Sequence, residues 1–232
     1  MYMILFLILA LFLIFMPQMF VKNTYREYLR FNAQSGLTGA EVAREILDKH
    51  GLSQVGIEAI KGELSDHYDP SAKVLRLSED NYYGKSISSI SVAAHETGHA
   101  LQDAYNYMPM RARAGVFPIA SFGSSIGPLL MFGGLALRAF VGGEFGLLIA
   151  IIGFLAFAGA ALFQIITLPV EFNASKRAVA ELANGGYITG SQELDGSQKV
   201  LLAAALTYVA AALYSIIELV YWAWQLFGSN RD

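Results

Sequence analysis

Four long apolar stretches alternate with polar segments along the chain. They cover residues 1–21, 115–140, 145–168 and 200–227. Each is near or above the roughly 20 residues that an α-helix needs to cross the hydrocarbon core of a bilayer. The first stretch lacks the basic segment and the small-residue cleavage site of a signal peptide, which favours a retained helix. The pattern therefore predicts about four transmembrane helices.

The polar segment between the first two apolar stretches, residues 22–114, is predicted to contain a capped helix. Thr38 and Glu41 have the spacing of a capping box, in which each side chain accepts a hydrogen bond from the other residue's backbone amide. Gly51 follows the last apolar position of this helix. We expect the helix to end there, because glycine readily adopts the left-handed backbone found just past helix ends.

The rest of this segment is predicted to combine strands with a second helix. Residues 52–60 partly alternate polar and apolar positions and residues 73–78 alternate more strictly, so we expect a hairpin or a small sheet. The second strand is a candidate edge for an extended peptide. Residues 86–104 contain no helix breaker except Gly98 and are predicted to form one helix, which another element could approach closely at that glycine. These elements indicate an α+β region.

The second polar segment, residues 169–199, is expected to begin with a helix near Pro169 that ends at Gly185–Gly186. Two apolar stretches separate it from the first polar segment, so both segments are predicted to lie on the same side of the membrane. Basic residues are concentrated in these two segments: Lys22, Arg26, Arg30, Arg111, Arg113, Lys176, Arg177 and Lys199.

The opposite side is expected to carry only Arg138 and Arg231. Because basic residues near membrane spans favour the cytoplasmic side, both polar segments are predicted to be cytoplasmic. The chain is therefore expected to be a multi-pass protein of the inner (plasma) membrane, with its polar region facing the cytoplasm.

Composition narrows the chemistry that is available. The chain is 55% hydrophobic and 15% charged, against about 25% charged residues in a typical soluble domain. Its net charge is −3, so no basic surface points to nucleic acid as a partner. The absence of cysteine excludes disulfides, iron–sulfur clusters, thiolate zinc sites and cysteine nucleophiles. Any metal ion must be bound by histidine and carboxylate.

Residues 93–102 read AAHETGHALQ and contain a metal-binding spacing. On a helix, His95 and His99 project from one face one turn apart, so both imidazoles can bind the same Zn²⁺. Glu96 can then reach a zinc-activated water and take its proton as a general base. A catalytic zinc site uses three protein ligands, so the motif requires one more.

Several residues are candidates for the third ligand. Tyr105 occupies the position at which an extended zincin motif would place histidine or aspartate. His50 is expected at a helix C-terminus and His67 in a turn, where neither needs a metal to explain it. Glu171 follows an apolar stretch on the same predicted side as the histidines. The helix dipole alone would also favour this glutamate, so the residues by themselves leave the third ligand open.

The stretches AAHETGHALQ and LPVEFNASKRA, together with four apolar spans, resemble the YugP-like neutral zinc metallopeptidases of bacterial membranes over essentially the whole chain. They are more distantly similar to the gluzincin arrangement of HtpX-type and CaaX prenyl proteases. The resemblance implies a small zincin-like α+β metalloprotease domain, with Zn²⁺ bound by His95, His99 and Glu171 and with Glu96 as the general base. One position departs from the related E-F-x-A-D motif: Ser175 replaces its aspartate, so Asn173 or another residue must support the ligands.

The resulting hypothesis is a membrane-anchored zinc endopeptidase that acts at the cytoplasmic membrane surface. The alternative is a proteolytically silent, zinc-dependent scaffold or adaptor. An intramembrane protease of the site-2 type is disfavoured because the residues flanking HETGH are polar. Expected partners are membrane-protein or juxtamembrane peptide substrates and the lipid bilayer, with a second copy or a regulatory membrane protein left open. Candidate oxyanion-stabilising residues are Tyr82, Tyr83, Tyr105, Tyr107 and Arg177.

Overall fold

The computed structural model describes the backbone of residues 2–228 and the side chains of residues 8–228, and this part of the chain is mostly helical. Arg231, one of the two basic residues expected on the opposite side of the membrane, lies outside it. The elements in chain order are α1 (Tyr2–Tyr28), α2 (Gly39–Lys49), β1 (Gly56–Ile60), β2 (His67–Asp69), β3 (Val74–Ser78), α3 (Glu79–Tyr82), α4 (Ile87–Ala104), α5 (Met108–Val141), α6 (Glu144–Asn184) and α7 (Gly190–Phe227).

Four helices in the described part of the chain, α1, α5, α6 and α7, are long and apolar enough to cross a membrane. Large apolar side chains point outward from them, for example Phe117, Leu129 and Leu155, each more than half exposed. Such side chains are expected where a helix faces lipid rather than water. The prediction of four apolar helices of spanning length is confirmed.

The described residues divide into two compact units. The apolar unit comprises Arg111–Leu168 together with α1 up to Ile14 and α7 from Tyr208. The mixed unit comprises Phe15–Met110 and Pro169–Thr207 and contains the whole sheet.

Within the apolar unit, α5 and α6 pack through small residues. A Cβ atom added to Gly127 would lie 3.0 Å from the carbonyl oxygen of Gly153, so the two backbones are nearly in contact. A buried cluster of Met131, Phe157 and Trp222 extends this packing to α7. Small residues and dispersion contacts of this kind are what holds apolar helices together in lipid.

The mixed unit contains a three-stranded sheet in the order β1–β3–β2. β1 pairs with β3 in parallel, and β2 pairs with β3 antiparallel. Of the two arrangements expected for residues 52–60 and 73–78, the small sheet is confirmed and the hairpin is wrong, since parallel neighbours cannot be joined by a tight turn. The interpretation of β3 as a peptide-binding edge is also wrong, because strands pair on both its sides.

The two helices predicted in residues 22–114 are confirmed. The Thr38–Glu41 capping box begins α2, and Gly51, with φ of +72°, lies just beyond its end. α4 begins after Ser86, whose hydroxyl accepts from the backbone amide of Ser89. Both helices were predictable because their caps are local in sequence.

α4 is the central element of the mixed unit. Fourteen of its 18 residues are buried, because one side packs on α2 and the sheet and the other on α6 and α7. Alanine, serine and glycine at many α4 positions allow this close packing. A helix enclosed in this way holds its polar side chains in fixed directions.

α6 runs without interruption from Glu144 through Pro169 to Asn184, so the helix start predicted near Pro169 is wrong. Proline removes one intrahelical hydrogen bond, but long apolar helices tolerate this loss. Beyond Pro169, the side chains of Val170, Ala174 and Ala178 form a fully buried stripe with helical spacing, and this packing maintains the helix. The predicted helix end at Gly185–Gly186 is confirmed.

Candidate metal centre

Two histidines on α4 form one side of the candidate site. His95 and His99 are one turn apart, and their ring centroids are separated by 4.8 Å with the ring planes nearly perpendicular at 88°. This arrangement follows directly from the i, i+4 spacing on a regular helix. Both Nε2 atoms face the same carboxylate, that of Glu171 on α6.

Gly98 explains how α6 reaches the histidines. A Cβ atom on this residue would lie 2.8 Å from the carbonyl oxygen and 3.2 Å from the Cα atom of Ala174. The backbones of α4 and α6 therefore touch at a position where no larger residue fits. Glu171 lies three residues, or almost one turn, before Ala174 on α6, which brings its carboxylate to the histidine face of α4.

The distances within the cluster fit a zinc ion. Glu171 Oε2 lies 3.3 Å from His95 Nε2 and 3.5 Å from His99 Nε2. Two ligand atoms at the usual 2.0–2.1 Å from a tetrahedral zinc are about 3.3–3.4 Å apart, which matches both distances. One potential ligand atom from each of the three residues lies within 4.8 Å of those of the other two. The donor set of two imidazoles and one carboxylate is also typical of catalytic zinc sites.

The other ring nitrogen of each histidine has its own partner. His95 Nδ1 lies 3.2 Å from Ser175 Oγ, and His99 Nδ1 lies 3.0 Å from Gln102 Oε1. Ser175, which replaces the aspartate of the related motif, thus still contacts a histidine of the cluster. Asn173 does so only indirectly, through Gln102. Hydrogen bonds of this kind orient histidines for metal binding.

Glu96 is positioned beside the cluster but is not part of it. Its side chain is 8% exposed, and burial raises the pKa of its carboxyl, although the neighbouring charges of His95 and His99 act in the opposite direction. A carboxylate whose pKa is raised towards neutrality is a better proton acceptor in catalysis than an ordinary surface glutamate.

The remaining histidines lie away from the cluster and have other partners. His50 Nε2 lies 2.9 Å from Glu181, and its Nδ1 lies 2.8 Å from the hydroxyl of Tyr105. His67 begins strand β2, and its Nδ1 lies 2.9 Å from the carbonyl oxygen of Ser65. The structure thus leaves Glu171 as the third member that accompanies His95 and His99.

The candidate oxyanion-stabilising residues are distributed over the mixed unit. The rings of Tyr82 and Tyr83 meet edge to face beside α2, with their centroids 4.7 Å apart. The hydroxyl of Tyr107 lies 3.4 Å from the carbonyl oxygen of Pro169. The Arg177 guanidinium lies over the Tyr105 ring, 5.7 Å from its centroid.

Gln102 was missed by the sequence interpretation. It is fully buried and contacts His99 on its own helix and two groups on α6. The available signal was its position three residues after His99, since residues i and i+3 share a helix face. A glutamine on the ligand face of a metal-binding helix is therefore worth testing as a support for the histidine.

Comparison with known proteins agrees with the geometry. A family model described as "Putative neutral zinc metallopeptidase" matches residues 2–227. "Putative membrane protease YugP" of Bacillus subtilis (strain 168) is 48% identical over 225 residues, which cover 97% of this chain and 96% of the relative. No solved structure matches the chain. The chain therefore belongs to the family described as "Putative neutral zinc metallopeptidase".

Proposed function

We propose that this protein is a membrane-anchored, zinc-dependent endopeptidase. In this proposal His95, His99 and Glu171 bind the zinc ion, and Glu96 acts as the general base. The observation that carries it is the meeting of one carboxylate and two imidazoles from two helices at distances expected of zinc ligands. Family membership supports both the metal and the reaction class.

Glu96 distinguishes a hydrolytic site from a structural one. A structural zinc site needs ligands but no further carboxylate, whereas hydrolysis requires a base that removes a proton from the attacking water. Glu96 is next to His95 in sequence, is nearly buried and has a raised carboxyl pKa. The zinc ion would supply Lewis acidity to the water and to the scissile carbonyl. Glu96 would take the proton and pass it to the leaving amine.

The proposed site faces the cytoplasm at the membrane surface. Glu171 follows the apolar stretch 145–168 by three residues, so its helix carries it close to the end of a predicted span. The excess of basic residues in segments 22–114 and 169–199 supports a cytoplasmic orientation. Substrates of such a site are expected to be membrane proteins or the peptide segments that adjoin their spans.

Replacement of Glu96 by glutamine tests this function. The variant keeps the shape and the metal ligands but loses the base, so it should bind zinc stoichiometrically and cleave at least about a hundredfold more slowly. Metal content would be measured on the purified chain, and cleavage on an unfolded membrane protein in detergent. His95→Ala serves as the matched variant that should lose both zinc and cleavage.

Two outcomes would decide against the proposal. Absence of zinc from the unmutated protein purified without chelator would remove its basis. Equal biological activity of the unmutated protein and Glu96→Gln would support the zinc-dependent scaffold instead. Comparison of the membrane proteomes of cells that carry these two forms should reveal the substrates, which accumulate intact in the Glu96→Gln cells.

A further inference from the structure

A continuous series of hydrogen-bonded side chains connects His99 on α4 to Arg177 on α6. His99 Nδ1 lies 3.0 Å from Gln102 Oε1. Gln102 Nε2 donates to the carbonyl oxygen of Val170 at 2.8 Å and to Asn173 Oδ1 at 3.0 Å. Arg177 Nε donates to the same Asn173 oxygen at 2.9 Å.

We propose that Gln102, Asn173 and Arg177 are positioning residues that hold His99 in the single tautomer able to bind metal through Nε2. The inference rests on the proposed zinc site and names the groups that prepare it. None of the three is a proposed ligand or base.

The orientation of the Gln102 amide follows from the chemistry of its partners. A backbone carbonyl only accepts hydrogen bonds, so the end of the amide that faces Val170 must be the NH₂ group. The oxygen end therefore faces His99. Because an amide oxygen also only accepts, the His99 nitrogen opposite it must carry the hydrogen. In neutral His99 the lone pair is then on Nε2, which faces Glu171.

Asn173 and Arg177 secure this orientation from α6. A guanidinium has donors and no acceptor, so the Asn173 atom next to Arg177 Nε must be the oxygen. This oxygen then accepts from Gln102 as well, so two acceptors, Asn173 Oδ1 and the Val170 carbonyl oxygen, together hold the Gln102 amide in this orientation. If Gln102 flipped, its oxygen would face two acceptors at once. Such unpaired polar groups are costly in a buried site, and Gln102 is 0% exposed.

Arg177, the last residue of this hydrogen-bonded series, is held in place by an aromatic ring. Arg177 lies over Tyr105, the residue that caps the C-terminus of α4, and the Tyr105 hydroxyl lies 2.8 Å from His50 Nδ1. A cation over a ring face is held by electrostatic attraction, which restricts the guanidinium. The positioning residues thus link the two helices that would supply the metal ligands.

The Nδ1 atom of His95 has no equivalent partner that fixes the tautomer of its ring. Its Nδ1 partner is the hydroxyl of Ser175, which can donate or accept and so is compatible with either tautomer. The two histidines therefore differ: the tautomer of neutral His99 is fixed before metal binds, whereas His95 can adopt either tautomer. Loss of the positioning residues should act on zinc affinity through His99, because a second tautomer then competes with metal binding.

Two substitutions of Asn173 separate positioning from packing. Asn173→Asp keeps an oxygen for Gln102 and Arg177, whereas Asn173→Leu has similar size and no acceptor. Zinc affinity of the full chain in detergent, measured by competition with a chelator, should fall by about tenfold to a hundredfold in Asn173→Leu and by less than about threefold in Asn173→Asp. Arg177→Met, at the partly exposed end, should give an intermediate loss.

The tautomer can be observed directly, without zinc and without cleavage. Nitrogen-15 NMR of the histidine rings at alkaline pH should show His99 as one Nδ1–H tautomer in the unmutated protein and in Asn173→Asp, and as a mixture in Asn173→Leu. The chain has only four histidines, so His99→Ala identifies the signal.

The inference is overturned if Asn173→Leu keeps a single His99 tautomer, or if all three variants bind zinc as tightly as the unmutated chain. It is also overturned if Asn173→Asp and Asn173→Leu lose affinity equally. Failure of the endopeptidase proposal would look different, because a protein that binds zinc and never cleaves would still show the tautomer pattern.

Discussion

At Gly98 the backbone of α6 comes within contact distance of α4, and the candidate site depends on this contact. The neighbouring side chains, His95 and His99, can face Glu171 only if the two helices remain this close. The sequence interpretation expected a close approach at Gly98, and the structure identifies Ala174 as the partner. A single hydrogen atom in place of a side chain thus determines the spacing of the candidate ligands.

Gly98→Ala should weaken zinc binding and lower the free energy of unfolding. Alanine normally stabilises a helix by about 1 kcal/mol relative to glycine. Here its Cβ atom would meet the Ala174 carbonyl oxygen at 2.8 Å, and overpacking of this kind costs about 1–3 kcal/mol. Zinc affinity by chelator competition should fall by about tenfold, and denaturant unfolding in detergent should show a net loss.

Gly115→Ala is the matched control, because this glycine is also helical and a Cβ atom there meets nothing within 4 Å. It should stabilise the protein by up to about 1 kcal/mol and leave zinc affinity unchanged. If Gly98→Ala behaves like Gly115→Ala, the close contact between α4 and α6 does not govern the site.

Among the elements, the C-terminal part of α1 belongs to the mixed unit and is held there by buried polar groups. The Tyr25 hydroxyl donates to Asn81 Oδ1 at 2.9 Å, and Asn81 Nδ2 donates to Asp66 at 2.9 Å. Ser88 on α4 donates to the Tyr25 carbonyl oxygen at 2.8 Å. Tyr25 and Asn81 are almost completely buried, so these hydrogen bonds have no access to water as a substitute.

Tyr25→Phe should therefore destabilise the protein by roughly 1–3 kcal/mol, because it leaves the Asn81 oxygen buried without its donor. The expected observation is an earlier denaturant midpoint with an unchanged slope. Tyr83→Phe is the control, since Tyr83 is 66% exposed and water can replace its hydroxyl contacts. Equal midpoints for the two variants would show that the Tyr25 hydroxyl contributes nothing measurable.

The elements also show which features a sequence predicts and which it does not. α2 and α4 were predictable because capping residues and apolar spacing act within a few positions. The parallel pairing of β1 with β3 was not predictable. It requires β2 to reverse the chain direction between them, and β2 is a three-residue strand inside a turn-like sequence. The uninterrupted α6 was missed because packing of the residues after Pro169 overrides the local preference of proline.

The candidate metal ligands could be predicted from the sequence, but the residues that hydrogen-bond to the ligand histidines could not. His95, Glu96 and His99 share a motif, and the family resemblance added Glu171. The contact between Ser175 and His95, and the path from His99 through Gln102 to Asn173, depend on the rotation of α6 against α4. No local pattern encodes that rotation; the packing of small residues at Gly98 and Ala174 produces it.

At the scale of the whole molecule, the proposed zinc ion joins helices that are far apart in sequence. His95 and Glu171 are separated by 76 residues, so a metal ion bound to both stabilises the folded state and has no preformed site in the unfolded chain. A chelator should lower the melting temperature of the unmutated protein. At free zinc several hundredfold above the dissociation constant, the lost stabilisation is roughly 3–4 kcal/mol.

The chelator effect should also grow as the pH rises. In the metal-free protein, burial lowers the pKa of His99, but the hydrogen bonds to Glu171 and Gln102 and the charges of Glu96 and Glu171 together outweigh it, and the net pKa is raised. A raised pKa stabilises the folded state while the histidine is protonated, and this stabilisation is lost as the pH rises through that pKa. Zinc binding also strengthens as protons are removed from its ligands. His95→Ala should show no chelator effect at any pH; an equal effect in this variant would place the metal elsewhere.

Orientation in the membrane can be tested with unusual clarity because the chain has no cysteine. Single cysteines at exposed positions would then be the only thiols, and a membrane-impermeant maleimide would report their side in intact cells. Lys61→Cys lies in the mixed unit, and Glu144→Cys lies at the start of α6. If both polar segments are cytoplasmic, Glu144→Cys should be labelled in intact cells and Lys61→Cys only after permeabilisation.

The reverse pattern would place the candidate metal centre outside the cytoplasm, and labelling of both positions in intact cells would contradict the two spans between segments 22–114 and 169–199. Lys176→Cys, in the second polar segment, completes the test, because it must match Lys61→Cys if α5 and α6 both cross the membrane and bring Glu171 to the side of His95 and His99.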